Sequence, residues 1–449
     1  MTELSADVPN FPSVRSHVQL GPAFLLYFHI VICCVSLVFV AEFFARLQIV
    51  MFDETRLYAA ALNIAPFAMV SILFTFSRFS FGYVLGFYFY TMILGYLWLV
   101  EFSRFHYDHA LATISAFASA LAFLLPALFI TSPIKQRFTL SARALDNLLS
   151  FIMIFAAIII AAGTLRNFRL VGIGDIYNFR NELEFPLWLG YAMGATTNAL
   201  LPFAFACFVA RGNRWRAAAV LLLLLLFYPI TLSKLALFAP FWLLFLALLS
   251  RYFEARASIV FSLFLPISAG VILALLVKAD ALSYNQMMPY FGNINFRMIA
   301  VPSSALDFYN DFFSTHDLTY FCQISFLKPF ADCPYSDQLS IVMEKAYHVG
   351  NFNASLFATE GIASVGLILA PFAVLACGLV ISFGNRLSSG LPSSFILLSG
   401  GILPQTFLNV PLTTTFLTYG AAILFLLWYI TPRAMFEQGR SDRLELDDA

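Results

Sequence analysis

Long apolar stretches separated by short polar connections run through almost the whole chain. Several of them approach the roughly 20 residues with which an α-helix crosses the hydrocarbon core of a membrane. Inside that core every backbone N–H and C=O group needs a partner within the protein, so only helices and closed barrels can span it. The alternating segments of roughly ten residues that are typical of a barrel are absent from the sequence. The pattern therefore predicts an all-α polytopic membrane protein.

Hydropathy predicts about twelve transmembrane helices. The seventh and eighth are short and almost continuous, so that either could cross only half of the membrane. The predicted helices cover residues 23–44, 57–76, 81–100, 110–130, 148–165, 186–210, 217–230, 235–250, 259–277, 362–383, 393–408 and 413–430.

Most of the chain is expected to form one integral membrane domain, residues 23–432. Only 11% of the 449 residues are charged, whereas a soluble domain has about a quarter. Residues 1–22 are predicted to be a cytoplasmic N-terminal segment and residues 433–449 a cytoplasmic tail.

A polar segment, residues 278–353, lies between the ninth and tenth predicted helices and is called the insertion below. It concentrates charged side chains in a chain that has few of them. A transporter made only of helices does not need such a loop, whereas an enzyme that acts on a lipid-anchored substrate at one membrane face does. Cys322 and Cys333 both lie in the insertion, and they could form a disulfide if it faces an oxidising compartment.

The distribution of basic residues predicts which way the insertion faces. With twelve spans and both termini inside, fourteen of the 25 Lys and Arg residues fall in cytoplasmic segments, most of them short. Short cytoplasmic loops are enriched in Lys and Arg, and charges in a long loop have little influence on orientation. The insertion is therefore predicted to be a large extracytoplasmic loop.

Basic residues nevertheless occur at three extracytoplasmic borders that are far apart in the sequence, against the topological rule. Converging cations at a membrane surface suit a phosphate or diphosphate group, to which arginine donates paired charge-assisted hydrogen bonds. The residues are Arg166, Arg169 and Arg180 before the sixth predicted helix, Lys234 between the seventh and eighth, and Arg297 in the insertion.

Each of these cations also has a structural explanation. Arg180 could pair with Glu182 or Glu184, or extend its side chain toward the membrane surface. Lys234 could mark the tip of a helical hairpin at the lipid headgroups, although a lysine between two short spans is costly unless water or an anion reaches it.

Acidic and histidine side chains near the same borders are candidates for acid–base chemistry. Glu360 lies at the mouth of the tenth predicted helix, where a carboxylate is a functional candidate. It could also form a structural ion pair with Arg297 or Lys234. His348 lies before it, just ahead of a polar turn. The asparagines of that turn are Asn351 and Asn353.

Familiar soluble catalytic motifs are absent from the sequence, including phosphate-cradling Gly-rich loops and His-Glu-x-x-His. His106 and His109 flank Asp108 in a short connection, but three residues on a loop are weak evidence for a metal. No metal, cofactor or nucleic-acid partner is predicted.

A series of motif residues runs through residues 295–380. It resembles the Wzy-type O-antigen polymerases, in which an Arg and a Pro precede a Tyr-x-x-Phe-Phe stretch with a nearby His. A Pro-Tyr pair, an Asn/Ala turn, an acid and a Gly-rich helix then follow. The Ser233-Lys234 pair and the arginine-bearing loop ending at Arg180 are two further similarities. The matching positions of the series are Arg297, Pro302, Tyr309, Phe312, Phe313, His316, Pro334, Tyr335, Asn353, Ala354, Glu360 and Gly366.

The resemblance implies a GT-C-like glycosyltransferase at the periplasmic face of the bacterial cytoplasmic (inner) membrane. Its reaction would be a metal-independent, inverting transfer that polymerises undecaprenyl-pyrophosphate-linked oligosaccharide repeat units into a surface polysaccharide such as O-antigen. The implied partners are this lipid-linked substrate and membrane lipids, with a chain-length regulator and a flippase as conceivable protein partners.

The resemblance and the chemistry together suggest roles for individual residues. Arg180, Lys234 and Arg297 would bind the departing diphosphate and stabilise its charge. Glu360 or His348 would act on the acceptor hydroxyl. Further substrate contacts are expected from Arg166, Arg169, Tyr309, His316, Tyr335, Asn351 and Asn353.

Three other functions fit parts of the sequence. An O-antigen ligase would use the same donor with a lipid A-core acceptor. A flippase or transporter for the lipid would have charged residues along a path through the membrane, often with internal repeats. A scaffold subunit of an envelope-synthesis complex would leave the basic border residues without a ligand.

Overall fold

The computed structural model describes residues 21–44, 50–172, 175–176, 179, 183–324, 327–330, 332–349 and 354–436. All regular elements in these ranges are helices, which confirms the predicted all-α class for this part of the chain. Three residues of the predicted site, Arg180, Asn351 and Asn353, lie outside the described residues.

Ten helices in the described ranges are long and apolar enough to cross a membrane, so the protein is a multi-pass membrane protein. The first nine precede the insertion, and the tenth, numbered α12 because the insertion contains two helices of its own, follows it. The ten are α1 (Ala23–Phe43), α2 (Glu54–Phe76), α3 (Phe81–Phe102), α4 (His109–Phe129), α5 (Ala142–Thr164), α6 (Leu187–Ala210), α7 (Arg214–Thr231), α8 (Lys234–Tyr252), α9 (Ala255–Lys278) and α12 (Phe357–Ser388).

The seventh and eighth predicted helices, α7 and α8, are both long enough to cross the membrane. A sharp break separates them at Leu232, whose φ of +46° is left-handed, followed by Ser233. The backbone conformation of Leu232 is uncommon for a side chain of this kind. Lys234 is therefore the first residue of a helix that is long enough to cross the membrane.

Helix α3 lies at the centre of the bundle. All of its residues from Phe81 to Leu99 are buried, and it packs against α1, α2, α4, α12 and the insertion. A helix that is apolar on every side is expected to be surrounded in this way. Gly95 permits a close approach to the insertion, because a side chain there would collide with Ser303.

The first half of the insertion is a helix inside the bundle. Helix α10, residues 284–315, comprises Tyr284–Phe291, a π-helical segment Gly292–Ala300, and Val301–Thr315. The Asn295 amide donates to Ser36 Oγ and to the Ile267 carbonyl, both at 2.9 Å. These partners belong to α1 and α9, so α10 is wedged between membrane-spanning helices.

The aromatic stretch at residues 308–313 lies inside the protein. Phe308, Tyr309, Phe312 and Phe313 are buried in α10. The Phe308 ring packs against Phe105 and Tyr347, and the rings of Phe312 and Phe313 pack against Tyr335. The stretch is thus part of the protein core.

The rest of the insertion is compact where the structure describes it. A disulfide joins Cys322 to Cys333, a pairing that the sequence permitted but left open. Helix α11 (Leu339–Tyr347) is fastened to α10 because the Tyr347 hydroxyl donates to Asp311 Oδ2 at 2.7 Å.

The eleventh and twelfth predicted helices are not continuous, and this prediction is wrong. They are replaced by α13 (Ser393–Ser399), α14 (Leu403–Asn409), α15 (Leu412–Leu417) and α16 (Ala421–Ile430). The first break falls at Gly400 and Gly401. The Gly401 carbonyl, released from helical hydrogen bonding, accepts from the Trp242 indole at 3.0 Å. Such breaks are tolerated at membrane depth when protein groups satisfy the backbone.

Candidate functional site

Two of the predicted basic borders meet in the structure. The Asn167 side-chain amide, in the connection after α5, donates to the carbonyl oxygens of Pro229 at 3.2 Å and Ile230 at 2.8 Å. The backbone N–H of Arg169 donates to Pro229 at 2.9 Å. The loop that carries Arg166 and Arg169 is therefore fixed to the α7–α8 break, which ends at Lys234.

A cavity of about 280 Å³ lies beside this junction and is called the break cavity here. In the sequence Lys234 lies between two lining residues, Ser233 and Leu235, and it is half-buried. Its lining includes both polar and apolar residues. The polar lining residues are Thr197, Asn198, Thr231, Ser233 and Tyr419. The apolar side chains include Leu183, Phe185, Met193, Leu235, Ala236 and Ile402.

A π-helical segment of α6, Thr196–Leu200, supplies two of these polar groups. Short π-helical insertions redirect side chains and are frequent at functional sites. Asn198 donates to the Gly194 carbonyl at 2.9 Å, and its Oδ1 accepts from Thr406 Oγ1 at 3.0 Å. Asn198 thus connects α6 with the interrupted helix α14 while it faces the cavity.

Glu360 lies in a second π-helical segment, Phe357–Ile362, and both of its carboxylate oxygens accept hydrogen bonds. Oε2 accepts from Ser355 Oγ at 2.9 Å and from Leu356 N at 2.6 Å. Oε1 accepts from Leu412 N at 2.6 Å. Leu412 begins α15, so the carboxylate anchors the tip of the interrupted α13–α16 hairpin, whose Ile402 lines the break cavity.

Arg297 occupies the third π-helical segment, within α10, and its side chain is exposed. It is not among the residues that line the break cavity. Helix α10 approaches Glu360 through Tyr309, whose hydroxyl lies near Thr359 and Glu360. Tyr309 is fully buried, so its ring presents no face to which a substrate sugar could bind.

The remaining described candidates belong to the insertion or its surface. The His316 ring stacks on Phe312 with 3.9 Å between ring centres, at the end of α10. The Tyr335 hydroxyl donates to the Asp317 carbonyl at 2.8 Å. His348 is exposed at the end of α11, in a left-handed conformation. None of these side chains lines the break cavity.

The structure therefore unites only part of the predicted site. Arg166 and Arg169 are exposed on the loop beside the break cavity, and the Arg169 guanidinium lies 5.5 Å from the Phe179 ring centre. Lys234 borders the cavity, and Glu360 is joined to it through the hairpin.

Sequence reasoning missed three polar cavity residues, Thr197, Asn198 and Tyr419. A Thr-Thr-Asn run inside an otherwise apolar predicted helix was the available signal for the first two.

In the described ranges no group of three or more His, Cys, Asp or Glu side chains lies close enough together to hold a metal ion. In comparisons with known proteins the chain matches no family model, no curated protein and no solved structure. Fold and cavity together define a multi-pass helical membrane protein with a partly polar, partly apolar cavity beside a lysine.

Proposed function

We propose that the protein is a membrane glycosyltransferase that polymerises undecaprenyl-pyrophosphate-linked oligosaccharide repeat units, with its site facing the periplasm. The break cavity carries this proposal. Its lining combines the polar side chains of Ser233, Thr231 and Asn198 with aliphatic side chains, next to Lys234. A lipid-linked sugar diphosphate likewise combines a polar head with an apolar tail.

In the proposed reaction an acceptor hydroxyl oxygen bonds to the anomeric carbon of the donor sugar. The bond from that carbon to the diphosphate oxygen breaks, with inversion, and polyprenyl diphosphate leaves. Lys234 stabilises the departing charge, and Arg297 and Arg180 are further candidates for this role. The hydroxyl proton passes to a base. The three hydrogen bonds to Glu360 favour a positioning role, and His348, the other candidate, does not line the break cavity.

Two observations support the periplasmic orientation. The Cys322–Cys333 disulfide lies in the insertion, and disulfides persist in oxidising compartments. The connections at the opposite end of the bundle carry Lys135, Arg137 and Arg143, among other basic residues, as cytoplasmic loops do.

One observation favours a second candidate, a flippase for the same lipid. Interrupted helices often form the substrate sites of transporters, and the α13–α16 hairpin is interrupted at Gly400–Gly401 and at Gly420. The site of a flippase would have to open to both sides of the membrane.

Purified full-length protein in lipid nanodiscs, incubated with lipid-linked repeat units, separates these functions. A ladder of products on a gel is the result expected of a polymerase. We expect Lys234→Gln to slow the ladder by about 100-fold, the usual scale for losing one group that stabilises developing charge. Lys135→Gln, at the opposite end of the bundle, should change the rate less than about twofold.

Other outcomes of this assay would overturn the proposal. A single product on a lipid A-core acceptor would indicate a ligase. No product with either acceptor, together with movement of the lipid across proteoliposome membranes, would indicate a flippase.

A further inference from the structure

A second cavity, of about 480 Å³, lies on the insertion side of the bundle and is called the basic cavity here. Its volume falls within the range of about 300–1,000 Å³ that is typical of small-ligand sites. It lies where α2 and α4 begin and α3 ends, at the border of the membrane-spanning region. Its charged and titratable lining residues are Asp53, Arg56, Arg104, His106 and His109.

Positive charge dominates this lining. Two guanidinium groups face one carboxylate, which gives a net charge of +1 before either imidazole is protonated. Arg56 is held in place because its Nη1 donates to the Glu101 carbonyl at 3.0 Å, while its Nε lies 3.6 Å from Asp53. These arginines lie at the membrane face that, in the proposed orientation, should be poor in basic residues.

The segment 104–109, which contributes to the lining of the basic cavity, packs against the insertion. The Arg104 guanidinium lies 5.3 Å from the Phe105 ring centre, and the Phe105 ring packs 5.2 Å from Phe308 of α10. The His109 Nε2 is 3.0 Å from the Phe105 carbonyl oxygen. Behind them Tyr107 donates to Asp307 of α10. The segment that carries Arg104 and His109 is therefore held in place by packing against α10.

We propose that the basic cavity binds a phosphate or diphosphate group at the membrane surface. Arginine matches phosphate geometry with paired donors, and Met51, Phe52 and Phe105 give the cavity an apolar wall for the rest of an amphiphilic ligand. A phospholipid headgroup and the diphosphate of a lipid-linked glycan share this chemistry. The assignment does not rest on the proposed polymerase activity, because none of the lining residues lines the break cavity.

Calorimetric titration of the full chain with inorganic pyrophosphate tests this site. The protein is held in phosphatidylcholine nanodiscs, and Lys234→Gln is present in every sample to weaken binding at the break cavity. We expect saturable binding that the added pair Arg56→Gln and His106→Gln weakens at least about tenfold, the equivalent of about 1.4 kcal/mol. The control Arg143→Gln, an exposed arginine at the opposite end, should change affinity less than about twofold.

Absence of saturable binding, or equal affinity in the Arg56/His106 pair and the Arg143 control, would overturn the proposal. If the pair does not fold, His106→Gln alone carries the test, because this side chain is exposed. An affinity unchanged by that substitution would then count against the site.

Repeating the titration in phosphatidylglycerol nanodiscs distinguishes the two sources of phosphate. A headgroup site would be occupied by the lipid, and pyrophosphate would bind more weakly than in phosphatidylcholine. A site for a carrier-linked diphosphate would show the same affinity in both. The gel ladder is read independently, so the failure of either proposal leaves the other standing.

Discussion

At the scale of single residues, the carboxylate of Glu360 is the most constrained of the candidate groups. One oxygen accepts from Leu412 N, and the other from Leu356 N and Ser355 Oγ. Because both oxygens face backbone N–H groups, an amide would direct an N–H group at another N–H group in either orientation.

We therefore expect Glu360→Gln to lower the free energy of unfolding by about 2 kcal/mol, the scale of a hydrogen bond to a charged group. Thermal unfolding of the purified protein in detergent measures this loss. Glu54→Gln, at an exposed carboxylate that begins α2, is the matched control. Equal melting temperatures for the two variants would contradict the anchoring role.

Asp307 should make stability depend on pH. Burial raises the pKa of its carboxyl group to about 7, although hydrogen bonds from Tyr107 and Ser103 oppose the shift. Between about pH 4 and pH 7 the folded protein then holds a proton that the unfolded chain has lost. Stability falls as pH rises through this window and levels off above it, with a total change approaching about 4 kcal/mol.

The substitution Asp307→Asn should flatten this profile and leave the variant more stable than the natural protein at pH 8. Melting temperatures between pH 5 and pH 8 provide the test. Asp280→Asn, an exposed carboxylate in the same insertion, should keep the slope. A slope that survives in Asp307→Asn would assign the pH dependence to another group.

The sequence predicted residues of the candidate site unevenly. Lys234 stood out because a charge in an apolar background needs a reason. Asn198 was harder, since its partner Thr406 is 208 positions away and only the fold brings them together. The orientation of Tyr309 could not be predicted, because it depends on which helices surround α10.

At the scale of secondary-structure elements, the interrupted α13–α16 hairpin determines the shape of the break cavity. Gly420 begins α16 with a φ of +78°, and a Cβ there would lie 3.0 Å from both Ala195 Cα and Ala199 Cβ of α6. Gly212, between α6 and α7, has a similar φ of +68° with open space around it.

This pair of glycines separates backbone strain from packing. Gly212→Ala should cost about 1 kcal/mol of stability, from the unfavourable φ alone. Gly420→Ala should cost about 1–3 kcal/mol more, because its methyl group also overpacks the contact with α6. Chemical unfolding of both variants measures the difference, and equal costs would show that the hairpin does not pack tightly on α6.

Hydropathy predicted the helices but not their interruptions. It recognises apolar runs without charge, and residues 393–430 contain no charged side chain. Whether such a run crosses the membrane unbroken depends on neighbours that satisfy the freed backbone groups, such as Trp242 at Gly401. For the same reason the insertion was predicted as a loop, although α10 packs against α1, α3 and α9.

At the scale of the whole molecule, the two ends of the bundle differ in their chemistry. Both cavities, the disulfide, Lys234 and the loop with Arg166 and Arg169 lie at the end that carries the insertion. At the opposite end Arg433 donates to the carbonyl oxygens of Trp428 and Leu387, at 2.6 and 2.7 Å, and so joins the ends of α16 and α12. The end with the insertion carries the candidate binding sites, and at the opposite end Arg433 holds helix ends together.

Labelling of a Ser233→Cys variant tests most directly whether a lipid-linked diphosphate enters the break cavity from the insertion side. We expect a membrane-impermeant maleimide to react with it in intact cells, and added undecaprenyl pyrophosphate to slow the reaction in purified protein. Ser132→Cys, exposed at the opposite end, should react only after the membrane is opened, at a rate that the lipid does not change. Reaction of Ser233→Cys only from the cytoplasmic side, or at a rate unaffected by the lipid, would contradict the proposed site.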